Sequence, residues 1–370
     1  MQRIAGRVTK KNSYVNIQRK FILEDYTEGR KRPWMKPENT LVVCFVGEPA
    51  VDDGGPKREF FTEILQQVKR RLFIEEQQHG GYVPCESTVA LTEGSFEIAG
   101  ELMAMSLAQG GPAPNFLAPW VYDYLSTGLN GVVAEIEKME ESQSKAVAQK
   151  IMAVNTEEEL KDVLMEDECM DILSEVGYRG VPQREKLKNK CKLARSIYIK
   201  VYIEPKIPML SQMAKGLQLF QVLEEVAKNK EEMKKLFTLD SFEDLTADSL
   251  LGLMCVDFSL PQQLKEAEIR TYKAFCDFLH MIEYEGMSKY EVSLTDVLKF
   301  ITGCSQEPPL GFSKKMSVSF IGDCTPGCQC RPTASTCSLH LRLPTHLQSY
   351  EDMTEAWISM LKECFGFGSI

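Results

Sequence analysis

The apolar run Leu41-Val-Val-Cys-Phe-Val46 passes through the turn-forming Gly47-Glu-Pro-Ala-Val-Asp-Asp-Gly-Gly-Pro56 into a long amphipathic stretch from Lys57 to Gln78. No other feature constrains the fold as much. A continuous β-branched and aromatic run reads as a strand buried on both faces. The stretch after it carries Phe60, Phe61, Ile64, Leu65, Val68, Leu72 and Phe73 at helical spacing, so a helix is expected there. Asp53 is placed to cap it, and Pro56 suits a first helical turn. Such a strand-turn-helix unit needs a large core to bury its apolar face. With 370 residues, 44% of them hydrophobic and 26% charged, the chain has the material for two or three domains, the length alone favouring two.

A strand, a Gly-Gly turn and a helix also invite a phosphate-loop reading. The turn does not continue as Gly-Lys-Ser/Thr, and it lacks the spacing of a dinucleotide fingerprint. The glycines are better explained by a sharp turn and close packing. A formal net charge of −10 argues against general nucleic-acid binding. Residues 1–40 run the other way, with ten Lys/Arg against four Asp/Glu, which reads as a solvated basic first segment. The first residues lack the apolar core of a signal peptide, and no apolar run is long enough to span a membrane. Twelve cysteines without a secretion signal are expected to be reduced thiols in the cytoplasm and/or nucleus.

Along the chain, Tyr14 to Tyr26 has mixed polarity. Phe96 to Gln109 reads as a second apolar helix, stopped by Gly110-Gly-Pro-Ala-Pro. Phe116 to Leu125 is aromatic-rich, and Ala134 to Asn189 is charged and helix-favouring. Ser196 to Ile203 fits either a short strand or a helix, and Met209 to Leu236 an amphipathic helix. The polar stretch at 261–268 suits a hinge. Beyond it, helices are expected over Ile269 to Tyr284 and Val292 to Thr302, the latter stopped by Gly303. A strand is expected over Met316 to Ile321. A final helix from Ser349, with a Ser349/Asp352 capping pair, carries Met353, Trp357, Met360 and Cys364 on one face. Cys44, Cys255 and Cys276 lie in apolar runs and read as core residues.

Between the last strand and the last helix lies Arg331-Pro-Thr-Ala-Ser-Thr-Cys-Ser-Leu-His-Leu-Arg-Leu-Pro344. A polar, turn-prone loop ends in Thr336-Cys337. An alternating run follows, with Leu339, Leu341 and Leu343 on one face and His340 and Arg342 on the other, as in a half-buried strand. Cys337 is therefore a candidate nucleophile, near solvent but on a rigid scaffold. Histidines are few (His79, His280, His340 and His346). His340 lies an odd number of residues from Cys337 and points to the opposite face of the strand. No Cys-His-Asp triad is visible.

Phe45 to Phe61, with its Gly54-Gly55 turn, and Ala99 to Leu107 resemble the N-terminal landmarks of the HECT ubiquitin-ligase domain. Leu298-Lys-Phe-Ile-Thr-Gly303, Thr336-Cys337, Leu341-Arg-Leu-Pro344 and the terminal Gly366-Phe-Gly are similar to landmarks of its C-lobe. They stand in the family's order across about residues 13 to 370. Gly100 to Gly111 and Gly177-Tyr-Arg-Gly-Val-Pro182 resemble the group related to the G2/M-phase-specific ubiquitin ligase.

The resemblance implies an α+β, bilobal fold: a basic extension (1–12), a mainly helical N-lobe (13–260), a hinge (261–268) and a small α/β catalytic C-lobe (269–370). It implies a ubiquitin-protein transferase that accepts ubiquitin on Cys337 from a conjugating enzyme and passes it to a lysine of a protein substrate. The alternative is a HECT-like module that binds ubiquitin, a conjugating enzyme or a target without forming the thioester. Thr336 and His340 would support the site, and Phe367 matches a terminal Phe with which the family docks its tail. Substrate-recognition modules usually precede this domain. Because the chain starts almost at the domain's beginning, it is expected to be a fragment or to use a separate adaptor.

Several positions depart from the family. Ser335 stands where His is frequent, Ser338 and Leu339 where Phe and Asn are, and Glu101 where Arg is common. Residues 131–205 lack the usual pattern of the part that grips the conjugating enzyme, which bears on partner binding more than on fold. Cys324, Cys328 and Cys330 form a Cys-x3-Cys-x-Cys run upstream of Cys337. The spacing is not that of a paired Cys-x2-Cys ribbon, and no His completes it at finger spacing. Reduced loop thiols are expected, with no metal and no cofactor.

Overall fold

The run at Leu41 does form a strand, but one buried on a single face. Eight strands are present among the residues described in this computed structural model, namely 1–48, 54–78, 80–239, 244–322, 324 and 327–364. They are β1 (Thr9–Ile17), β2 (Asn39–Phe45), β3 (Phe73–Glu76), β4 (Gly81–Pro84), β5 (Met254–Val256), β6 (Met316–Ile321), β7 (Thr333–Ser335) and β8 (His340–Pro344). β1 and β2 pair in parallel, with Val15 opposite Val43 and Ile17 opposite Phe45. Leu41, Val43 and Phe45 point inward while Cys44 is exposed, so the expectation of a two-faced strand with a core Cys44 fails. With only one partner strand, the second face meets solvent, and alternation takes over. The mixed-polarity stretch from Tyr14 completes β1 and enters the helix Ile22–Arg30.

The chain divides into two compact units. One comprises Met1–Val68, Glu101–Pro114 and Phe242–Ile370; the other comprises Lys69–Gly100 and Asn115–Ser241. The α+β class expected from the sequence holds: helices dominate, with two two-stranded sheets and one four-stranded sheet among the described residues.

In the second unit β3 and β4 form an antiparallel hairpin, Phe73 opposite Pro84 and Glu76 opposite Gly81. The helix expected to run to Gln78 therefore ends at Leu72. Phe73 packs edge-on against Phe116, and this tertiary contact outweighs the local helical pattern. The charged middle is helical, with Glu157–Leu164 started by a Thr156/Glu159 capping box. Ser196 to Ile203 takes the helical alternative: Lys190–Tyr198 passes into a wider turn, Ile199–Ile203. Met209 to Leu236 is not one helix. Ile207–Gly216 and Val222–Lys228 are separated where Phe220 and Gln221 take left-handed φ values of 55° and 56°.

In the first unit the four-stranded sheet has the order β5-β6-β8-β7. β6 runs parallel to β5 and to β8, and β7 is antiparallel to β8. Leu341 and Leu343 of β8 are fully buried, as their alternation predicts. The helices Gln262–Glu285, Leu294–Thr302 and Tyr350–Cys364 contribute to the same core. The Trp357 ring lies 5.4–5.5 Å from Phe275, Phe278 and Phe300. Leu294–Thr302 starts at a Ser293/Asp296 capping box and stops at Gly303, whose φ of 78° is the left-handed C-cap. Of the 261–268 stretch, everything from Gln262 is helical, and buried Glu268 accepts from Ser259 N and Oγ at 2.7 and 2.6 Å. Cys255 is exposed and Cys276 is half-buried, so neither is the core residue the pattern suggested.

Candidate active site

The register of β7 and β8 fixes the candidate nucleophile. Thr333, Ala334 and Ser335 pair with Arg342, Leu341 and His340, leaving Thr336, Cys337, Ser338 and Leu339 as the connecting turn. Leu339 takes a left-handed φ of 50° yet is only 1% exposed. For a non-glycine residue that conformation costs on the order of 1–2 kcal/mol. Burial of the Leu339 side chain in the core offsets it. The turn is closed by Leu339 N donating to Thr336 O, and Ser338 Oγ donates to Ser335 O. Cys337 is held between two anchored neighbours and stays partly accessible.

The helix Gly55–Leu72 backs this turn. A Cβ built on Gly55 would lie 2.3 Å from Thr336 Oγ1, 2.9 Å from Cys337 N and 2.9 Å from Cys337 Sγ. Only glycine lets the helix approach so closely. One turn on, Arg58 Nε donates to Thr302 O at 2.8 Å, and Arg58 Nη2 donates to Thr336 O. The guanidinium fork thus joins the end of Leu294–Thr302 to the carbonyl before the thiol. Thr62 Oγ1 donates to Gly303 O (3.1 Å) and accepts from Ser305 N (3.3 Å), while Lys299 pairs with Glu63. Gly303 must also be glycine here, since a Cβ would meet Gly55 O at 3.0 Å.

Of the supporting residues expected from sequence, Thr336 is at the site, with its carbonyl bonded to Arg58. His340 faces Ser319 across β6 and β8, Nε2 to Oγ 2.7 Å. Its first bond is therefore to the neighbouring strand. Phe367, Asp53 and His79 lie outside the described residues. His280 is far along another helix, with Nδ1 2.9 Å from Cys276 O and Nε2 3.3 Å from Asp248; the bond to Cys276 O raises its pKa. Arg58 and Gly55 were passed over as functional residues. Their only local signal was the Gly-Gly-Pro-Lys-Arg turn, which reads equally as a helix start.

Upstream of the turn, the fold gathers a second group. Cys324, Cys328, Cys330 and His346 each offer one donor atom, all within 4.8 Å of one another. Sγ of Cys330 lies 3.6 Å from Cys324 Sγ, 3.1 Å from Cys328 Sγ and 3.7 Å from His346 Nδ1. No histidine stands at finger spacing in the sequence, and the one that completes the group, His346, arrives from beyond β8. Elsewhere in this unit, Glu101 is clamped by Arg30, Nε at 2.8 Å and Nη2 at 3.0 Å, in an arginine-carboxylate fork.

A sequence profile for the family described as "HECT-domain (ubiquitin-transferase)" matches residues 58–370. The chain is 24% identical over 327 residues to the "G2/M phase-specific E3 ubiquitin-protein ligase" of Gallus gallus, covering 87% of this chain and 42% of that protein. It is 23% identical over 315 residues to the Homo sapiens protein of the same name, covering 84% and 42%. With "E3 ubiquitin-protein ligase UPL1" of Arabidopsis thaliana it shares 23% over 379 residues, 96% of this chain and 10% of that one. The chain spans less than half the length of these curated relatives. No helix among the described residues is long and apolar enough to cross a membrane.

Proposed function

The chain belongs to the HECT-domain (ubiquitin-transferase) family, and from that premise we propose that Cys337 accepts ubiquitin as a thioester from a conjugating enzyme and passes it to a substrate lysine. The observation that carries this reading is the position of Cys337: a partly accessible thiol in a four-residue turn between β7 and β8, anchored on both sides. In the first step the Cys337 sulfur attacks the thioester carbonyl of the loaded enzyme. A carbon–sulfur bond forms to Cys337, the enzyme's own sulfur leaves, and the Cys337 proton ends on that sulfur. In the second step a lysine amine attacks the new thioester, an isopeptide bond forms, and the Cys337 thiol is restored. Exchange between two thioesters is nearly balanced in energy, so positioning carries more weight than a strong base.

Thr336 takes the positioning role through its carbonyl, fixed by Arg58. His340 supports the site only indirectly, by tying β8 to Ser319. For Phe367, outside the described residues, the family resemblance alone supports the tail-docking role. Ubiquitin, a conjugating enzyme and a protein substrate are the partners. To meet two of them in turn, the part that carries Cys337 moves, and the Arg58 clamp on Thr302 and Thr336 opens.

The test is thioester transfer on a non-reducing gel, using ubiquitin-loaded conjugating enzymes with wild type, Cys337→Ala and Cys337→Ser. The expected result is a reductant-sensitive adduct on wild type, none on Ala and a reductant-resistant one on Ser. Folded protein that forms no adduct with any enzyme of a broad panel would instead be a binding module without transfer activity.

A further inference from the structure

We propose that Cys324, Cys328, Cys330 and His346 form a structural zinc site that fastens the β6–β7 connection to the end of β8. The proposal stands independently of the transfer reading. Three thiols and an imidazole converge, with all four donor atoms within 4.8 Å. A tetrahedral zinc with bonds of about 2.3 Å to sulfur and about 2.0 Å to nitrogen puts neighbouring donors roughly 3.5–3.8 Å apart. The Cys324–Cys330 and Cys330–His346 separations, 3.6 and 3.7 Å, already have that value. Cys328–Cys330, at 3.1 Å, has to open by roughly 0.6 Å to reach the sulfur–sulfur spacing.

The surroundings separate this group from ordinary packed thiols. Cys169 and Cys304 are fully buried, where a thiol behaves as a small hydrophobe. Cys324, Cys328, Cys330 and His346 are only half-buried, so packing alone gains little by gathering them. The donors come from two separate segments, and both are pinned to one point. Thr345 N and Oγ1, next to His346, donate to Ile321 O at 3.1 and 3.0 Å, which ties the His346 segment to the one that carries Cys324. Cys330 N also donates to Cys328 Sγ at 3.5 Å, the kind of N–H···S bond that steadies a metal-bound thiolate.

Three thiolates and a neutral imidazole give a closed four-coordinate set with no open position, which means structure and not catalysis. Binding would release three protons to solvent and leave the site with one net negative charge. The span between β6 and β7 contains no regular secondary structure among the described residues and leads directly into the Cys337 hairpin. A metal there would do for this span what a hydrophobic core does elsewhere.

The experiment is metal analysis of the full chain, grown with zinc and purified without chelator. One zinc per chain is expected. Release of that zinc by an organomercurial should track thiol modification, with retention in Cys191→Ser and loss in Cys324→Ser and in His346→Ala. Should those variants fail to fold, cobalt decides on wild type: chelator-stripped protein loaded with Co(II) should show a thiolate-to-cobalt charge-transfer band and tetrahedral visible bands. Folded wild type with neither zinc nor the cobalt bands overturns the proposal. So would iron or copper in place of zinc, zinc retained by folded ligand variants, or a disulfide among these cysteines found by mass spectrometry.

Discussion

Gly55 and Cys337 touch: a Cβ on Gly55 would lie 2.9 Å from the Cys337 sulfur and 2.3 Å from Thr336 Oγ1. Gly55→Ala must therefore push the hairpin turn away from the helix. Overpacking of this kind costs roughly 1–3 kcal/mol, while replacing a helical glycine by alanine returns at most about 1 kcal/mol. The variant should unfold at lower denaturant concentration than wild type, and its Cys337 should be alkylated faster. Unchanged stability and unchanged labelling would show that the helix does not hold the turn.

Arg58 is the second tie on the same turn, through Thr302 O and Thr336 O. Hydrogen bonds from a charged donor contribute about 1.5–3 kcal/mol each, so removing the fork should release the turn more often. Arg58→Ala is expected to raise the Cys337 alkylation rate by about tenfold or more, tenfold being the factor that ~1.4 kcal/mol produces. Arg58→Lys keeps the charge but cannot span both carbonyls, and it should fall between the two. Quantitative mass spectrometry of the Cys337 peptide over time separates the three proteins.

What the sequence showed, and what it hid, follow from the range of the interactions. The Leu341/Leu343 alternation, the Ser293 start and Gly303 stop of one helix, and the apolar face from Phe60 to Leu72 are local patterns, and all are realised. The strand at Phe73 was hidden because Leu72 and Phe73 continue a helical stripe and no glycine interrupts it before Gly80. The break at Phe220 and Gln221 carries neither glycine nor proline, so nothing marked it. The contacts that build the site join Gly55 and Arg58 to residues more than two hundred positions away. No local pattern encodes such a pairing. His346 was missed for the same reason, since its partners lie on the far side of the β7–β8 hairpin.

Glu101 stands where the family commonly has arginine, and the fold supplies the arginine from another element. Arg30 holds the Glu101 carboxylate through two bonds of 2.8 and 3.0 Å, and Glu101 is 8% exposed. Removing one partner of such a pair leaves a charge poorly solvated. Arg30→Ala should cost about 2–4 kcal/mol, toward the lower end for buried pairs because Arg30 is partly exposed. The double variant Arg30→Met/Glu101→Met should recover much of that loss, because no charge is left behind. Denaturant unfolding of the two variants and wild type gives the comparison, and equal losses in both would rule out a charge left unpaired as the cause.

Cys304 tests the burial of the same junction by titration. It follows the Gly303 stop, is fully buried, and burial pushes its thiol from the ordinary 9.0 up to about 11. At neutral pH it should resist iodoacetamide in the folded chain while the partly accessible Cys337 reacts. The sign of the stability effect follows from linkage. Between pH 9.0 and about 11 the unfolded chain loses this proton and the folded chain keeps it, so stability falls as pH rises through that window. Below 9.0 both states are protonated and the contribution is constant. Wild type should therefore lose more stability than Cys304→Ala across that interval, measured by denaturant unfolding at several alkaline pH values. Parallel losses in the two proteins would mean that the Cys304 thiol reaches water in the folded state.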